Sequence, residues 1–112
     1  MIRSNLGHML DQALKVVGKV NGKARDDFDA DENLRLALAH LVQTIGEAAR
    51  HVTDILKEAH PEVPWRNIMG MRHRIVHDYM NVDEDILWTV ATIHLPSLID
   101  RLAALVPPES TL

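Results

Sequence analysis

Hydrophobic residues recur at helical spacing along almost the whole chain. Leu6, Met9, Leu10, Ala13, Val16, Val17 and Val20 form one stripe, and Asn21-Gly22 predicts its end, since glycine takes the left-handed conformation that closes a helix. The polar, Asp-rich residues 23 to 30 read as a loop. Asp31 suits the N-cap of a long second helix running toward Ala59. Its buried face carries Leu34, Leu38, Leu41, Val42, Ile45, Ala48, Ala49, Val52, Ile55 and Leu56, and Gly46 inside that face predicts close helix packing rather than a break. His60-Pro61-Glu62-Val63-Pro64 stops and restarts the chain, with Pro64 suited to the first helical position. A third helix buries Ile68, Met71, Ile75 and Val76 and ends near His77 to Tyr79. Asp83, Glu84 and Asp85 fill the cap and first turn of a fourth helix, where negative charge suits the helix dipole. That helix buries Ile86, Leu87, Val90, Ile93, Leu98, Ile99, Leu102 and Leu105, and Pro96 is expected to kink it by removing a backbone donor.

No strand pattern, repeat or low-complexity segment interrupts this series. The expected fold is therefore all-α, an antiparallel four-helix bundle with a kinked last helix. It forms one domain over residues 1–106, and Pro107-Pro108 opens a tail over residues 107–112. A length of 112 residues suits one domain with a real core, and 46% hydrophobic with 25% charged residues is ordinary globular composition. The chain has no Cys, which excludes a disulfide framework, a thiolate nucleophile and a Cys zinc site. The first eight residues carry a charge and polar groups where a signal peptide needs an apolar run. The longest uncharged apolar stretch, residues 86–99, is interrupted by His94 and Pro96 and is too short to span a bilayer. The expectation is a cytoplasmic protein with no membrane partner.

The net charge of −4 argues against broad electrostatic wrapping of nucleic acid but leaves room for a local site. Arg66, Arg72 and Arg74, with His60, His73 and His77, gather in one short window, whereas the acidic groups concentrate at residues 26–32 and 83–85. Within that window Arg72, His77 and Tyr79 stand at the predicted end of the third helix. Arg offers a planar, permanently charged fork for phosphate oxygens. His gives or takes a proton near neutral pH, and Tyr adds a hydroxyl. On a regular helix, positions 72 and 77 diverge by about 140°. For both to meet one phosphate, the helix must unwind near Val76 or a second chain must contribute, and a two-fold dimer supplies two copies of each group around one cleft.

Plainer readings stand beside this one. Arg72 can be a surface charge paired with Asp78, His77 a helix-terminal imidazole favoured by the dipole, and Tyr79 an amphipathic core-edge residue. His73 and His77, four apart, have the spacing of a metal pair on one helix face, with Asp78 or Glu47 as a further ligand. Trp65 and Trp88 can stack bases but read more simply as core anchors. Lys15, Lys19 and Lys23 read as a solvated helix face, Glu47 as a helix-contact residue, and His8, His40, His51, His60 and His94 as surface or core-edge residues.

The chain resembles the HEPN superfamily and, within it, the HepT-type toxins of toxin–antitoxin pairs. The similar stretches are Ile45-Gly46-Glu47-Ala48-Ala49, His60-Pro61-Glu62-Val63-Pro64-Trp65-Arg66, the segment from Ile68 to Tyr79, Val82-Asp83-Glu84-Asp85-Ile86-Leu87-Trp88, and Leu95-Pro96-Ser97-Leu98-Ile99. They span most of residues 45 to 99 in order, and the N-terminal helix is similar in pattern only. The resemblance implies an all-α homodimer acting on RNA as a metal-independent ribonuclease with no cofactor. It assigns catalysis to Arg72 and His77, with His73 and Asp78 as supporting residues. The position after the motif Arg is often Asn in HepT-type chains, and His73 departs from that. Tyr79 matches the tyrosine to which a cognate minimal nucleotidyltransferase antitoxin adds AMP. The alternatives are a non-catalytic HEPN interaction module that dimerises and binds a nucleotidyltransferase partner, and a metal-dependent hydrolase built on His73 and His77.

Overall fold

A computed structural model describes residues 4–78 and 81–106, with the backbone alone at positions 72, 76–78 and 81. The fold is all-α, with one short ribbon at the end of the third helical arm. Helix α1 (Asn5–Val20) opens where the Gly7 amide donates to the Ser4 hydroxyl at 3.0 Å, and the chain turns away after it at Gly22, with φ +76°. Helix α3 (Glu32–Arg50) starts as expected, with the Leu34 amide donating to the Asp31 carboxylate at 3.0 Å. The expected loop before it instead holds a helical turn, α2 (Arg25–Ala30), because Phe28 is fully buried and Asp27 reaches back to accept the Ala24 amide. Phe28 packs against Trp88 with ring centroids 5.1 Å apart.

The long second helix does not continue to Ala59. It stops at Arg50, and Thr53 caps a separate α4 (Asp54–Ala59) by accepting the Leu56 amide. A threonine hydroxyl that satisfies a free amide favours a fresh helix start over continuation. Val52 still enters the core, whereas Ile55, beyond the break, is 83% exposed. Helix α5 (Trp65–Ile75) begins one residue later than expected, with the Pro64 carbonyl accepting the first helical bond from Ile68. Trp65 anchors this start. It is buried and donates through Nε1 to the His60 carbonyl at 3.0 Å, while Arg101 donates to the Glu62 carbonyl at 2.6 Å from the last helix.

The fourth arm consists of α6 (Glu84–Thr89), a π-helical turn (Val90–His94) and α7 (Leu95–Ala103). Asp83 caps α6 through the Ile86 amide, as expected. Proline at position 96 has no amide to continue an α-helical ladder, and the turn before it widens so that the Leu95 amide reaches back to the Val90 carbonyl. The widening inserts one extra residue into the helical phase. Leu87, Val90, Ala91, Leu95, Leu98 and Leu102 therefore face the core, and Ile93, expected inside, is 62% exposed.

Packing runs from α1 to α3, from α3 to α5 and from α5 to α6, and α1 also packs on α7. One continuous apolar cluster fills the space between them. Gly46 lies at the α3–α5 contact, where an added Cβ would stand 3.2 Å from the Ile68 carbonyl oxygen. Gly18, by contrast, has open space around it. Gly46→Val is expected to destabilise the fold by about 2 kcal/mol or more, because a backbone carbonyl cannot step aside as a flexible side chain can. Gly18→Ala is expected to stabilise it by up to about 1 kcal/mol through helix propensity. Urea unfolding of both variants beside the wild type checks the pair of signs.

Candidate active site and neighbouring groove

Helix α5 carries the basic window to its C-terminal end. Met71 and Ile75 point into the core, each at most 6% exposed, and so fix the rotation of the last turn. Arg72 belongs to that turn, and His73 and Arg74 beside it are exposed. The helix then stops. Residues Val76–Asp78 form an extended strand, β1, that pairs antiparallel with β2 (Asn81–Val82) in the register Val76 with Val82 and Asp78 with Asn81. The Asp83 amide donates to the Ile75 carbonyl, so a carbonyl left open by the end of the helix is satisfied by the returning strand. The strand pairing is a correction to the expectation of helix as far as His77 to Tyr79. Five described residues form this ribbon, too few to show an alternating pattern in the sequence.

Position 77 therefore lies on a strand, and the divergence of about 140° that a continuous helix would impose on positions 72 and 77 does not apply. The side chains of Arg72, Val76, His77 and Asp78, and the whole of Tyr79, lie outside the described residues. Among the described residues no three His, Asp or Glu stand close enough to hold a metal ion. No described helix is long and apolar enough to cross a membrane.

The ribbon leads directly into a set of ion pairs at the start of α6. Arg25 bonds Asp29 at 2.9 Å and Asp85 at 2.7 Å, and Arg35 meets Glu84 at 3.3 Å while donating to the Phe28 and Asp29 carbonyls. The hydrogen bonds to Asp29 and Asp85 raise the Arg25 pKa above its ordinary value. Asp29 of the first acidic stretch and Glu84 and Asp85 of the second are thus paired with the two arginines Arg25 and Arg35. Glu47, expected at a helix contact, instead faces solvent beside Arg50 at 3.8 Å.

Between α5 and the π-helical turn runs a groove of two adjoining compartments, of about 100 Å³ and about 170 Å³, which share Arg74, Val90 and His94. Arg74 and His94 are twenty residues apart in sequence, and spacing alone gave no signal that they line one groove. Trp65 and Trp88 are packing residues rather than exposed stacking platforms, and Lys15, Lys19 and Lys23 form a solvated face.

Comparison with known proteins supplies the family. The family model described as "Ribonuclease HepT-like" matches residues 9–105. A protein of Caldanaerobacter subterraneus subsp. tengcongensis named "Putative RNase TTE0752" is 30% identical over 107 residues, 96% of each chain. A protein of Thermococcus cleftensis named "Probable ribonuclease HepT" is 36% identical over 73 residues, covering 65% of this chain and 66% of that one. One of Methanocaldococcus jannaschii named "Putative RNase MJ1380" is 26% identical over 97 residues, covering 87% and 89%. No solved structure matches. With the family model spanning nearly the whole described core, from α1 to the end of α7, the chain belongs to the HepT-like ribonuclease family of the HEPN superfamily.

Proposed function

We propose that this protein is a metal-independent endoribonuclease that cleaves single-stranded or exposed RNA as a homodimer, the toxin of a toxin–antitoxin pair. The observation that carries the reading is the stop of α5 at Ile75, which takes position 77 off the helix that bears position 72, within a family named for ribonuclease. In the proposed reaction the ribose 2′-oxygen attacks the adjacent phosphorus and the bond to the 5′-oxygen breaks. The products are a 2′,3′-cyclic phosphate and a 5′-hydroxyl. His77 takes the proton of the 2′-hydroxyl, and a proton returns to the 5′-oxygen as it leaves. Arg72 stabilises the charge that develops on the phosphoryl oxygens. His73 and Asp78, each next to one of this pair, support their orientation. The nucleophile belongs to the RNA, so the protein supplies only charge, proton transfer and position.

Replacing His77 with Ala is expected to lower RNA cleavage by about 10²–10⁴-fold, the usual contribution of a positioned acid or base. Arg72→Ala is expected to cost about 10²–10³-fold through weaker stabilisation of the phosphoryl charge. Both changes should relieve growth arrest on overexpression and leave the helical circular dichroism intact. Cleavage by His77→Ala at the wild-type rate refutes the mechanism. Wild-type protein that binds RNA but never cuts it favours an interaction module instead.

The second expectation concerns assembly. The end of α5 and the following ribbon are proposed to line a two-fold cleft, which brings two copies of each reactive group together. Sedimentation should give a dimer at working concentration, and an active monomer refutes this arrangement.

Control is proposed to act through Tyr79, two residues beyond His77. AMP transferred from ATP to its hydroxyl, with pyrophosphate leaving, adds a phosphodiester charge and a bulky nucleoside next to the pair, which repels RNA phosphate and blocks access. Co-expression with a cognate minimal nucleotidyltransferase is expected to silence the protein with an AMP-sized mass increase, and Tyr79→Phe should escape both. Full silencing of the wild type without that mass increase shows inhibition by complex formation alone.

A further inference from the structure

The groove between α5 and the π-helical turn has no role in the reaction above. Its smaller compartment is floored by Met71, Leu95 and Leu98, with the Asn67 amide at the edge. Its larger one adds Asp85 and Thr89, and Arg74 and His94 line both. An apolar slot with one amide at its rim suits a nucleobase, which needs a stacking surface and a partner for its polar edge. The shared cation and imidazole suit a phosphate. Thr89 and Asp85, which line the second compartment, carry oxygens that can accept hydrogen bonds from ribose hydroxyls.

Charge supports the same occupant. The whole chain carries −4, so RNA must be held by local cations. Arg74 is exposed and engages no acidic partner among the described residues, while Asp85 is already paired with Arg25 at 2.7 Å. The acid among the groove's described lining residues is thus held on Arg25, which it shares with Asp29. On α5, positions 72 and 74 lie about 160° apart around the helix axis, so the helical position of Arg74 is on a different flank from position 72. The flanks meet where the helix stops at Ile75.

We propose that this groove is a nucleotide-binding subsite that holds one nucleotide of the RNA a few positions from the bond that is cut, with its base in the apolar compartment and its phosphate between Arg74 and His94. The assignment to substrate RNA rests on the ribonuclease reading. A free mononucleotide is the competing source, and the experiment separates the two.

Affinity is measured with a short single-stranded 2′-O-methyl RNA, which lacks the attacking hydroxyl and cannot be cut, across a series of salt concentrations. The doubly substituted protein, Arg74→Ser with His94→Ala, is expected to bind about tenfold or more weakly, as charged hydrogen bonds to phosphate are removed. Its salt dependence should flatten by about 0.7 in the slope of log K against log salt for each phosphate that the protein no longer neutralises. With cleavable RNA, KM should rise while kcat stays unchanged. Arg50→Ser, at an exposed basic position on α3, serves as the control and should change none of these. Thermal melting confirms that the variants fold. Unchanged affinity, salt slope and KM in the double variant overturn the subsite and leave the ribonuclease reading standing. RNA binding that depends on Arg74 and His94 in a wild-type protein that never cleaves supports the subsite while the ribonuclease reading fails. Saturable binding of free AMP that depends on both residues, with oligonucleotide affinity unaffected by their replacement, overturns the assignment to RNA.

Discussion

The stop of α5 at Ile75 is the constraint on which the rest of this molecule depends. A helix end leaves carbonyls open, and here the Asp83 amide satisfies one of them by donating to Ile75. That single bond ties the ribbon to the helix end. Asp83 also caps α6 with its side chain, so the same residue closes one helix and starts the next. The next two residues, Glu84 and Asp85, are paired with Arg35 on α3 and Arg25 on α2, the helix that carries Phe28. The end of α5, the ribbon, and the start of α6 are in this way fixed as one unit against α2 and α3. A longer α5 would separate positions 72 and 77 around its circumference and displace that whole unit.

Much of the fold was legible in the sequence because the strongest signals are local and repeated. The stripes from Leu6 to Val20 and from Leu34 to Val52 face the core as their spacing predicts, with Leu10, Val17, Leu41 and Ala48 half-buried at its edge. Asp31 and Asp83 cap the helices that they precede, and Gly46 marks the close approach of α3 and α5. The departures from expectation share a cause. A single turn such as α2 is decided by the burial of one residue, Phe28, which no periodicity can show. The break before Thr53 and the widened turn before Pro96 each shift the helical phase, and they turn Ile55 and Ile93 outward from faces that their spacing placed inside.

The site was legible to a different degree. Arg72, His77 and Tyr79 stand within eight residues, so their chemistry could be noticed together, and the helix geometry alone required a change of backbone near Val76 or a second chain. Arg74 and His94 are on separate elements, and nothing in their local sequence links them. Charge shows the same contrast. The sequence displays two acidic stretches and one basic window, but only the fold shows that Arg25 and Arg35 neutralise acids while Arg74 engages no acidic partner among the described residues.

The central claim is that the RNA supplies its own nucleophile while the protein supplies charge and proton transfer at the end of α5. The most direct measurement is cleavage of a defined single-stranded RNA by the purified protein in excess chelator, with the product ends identified by mass. The account predicts undiminished cleavage and fragments that end in a 2′,3′-cyclic phosphate and begin with a 5′-hydroxyl. Cleavage abolished by chelator, or fragments carrying a 5′-phosphate, would contradict it.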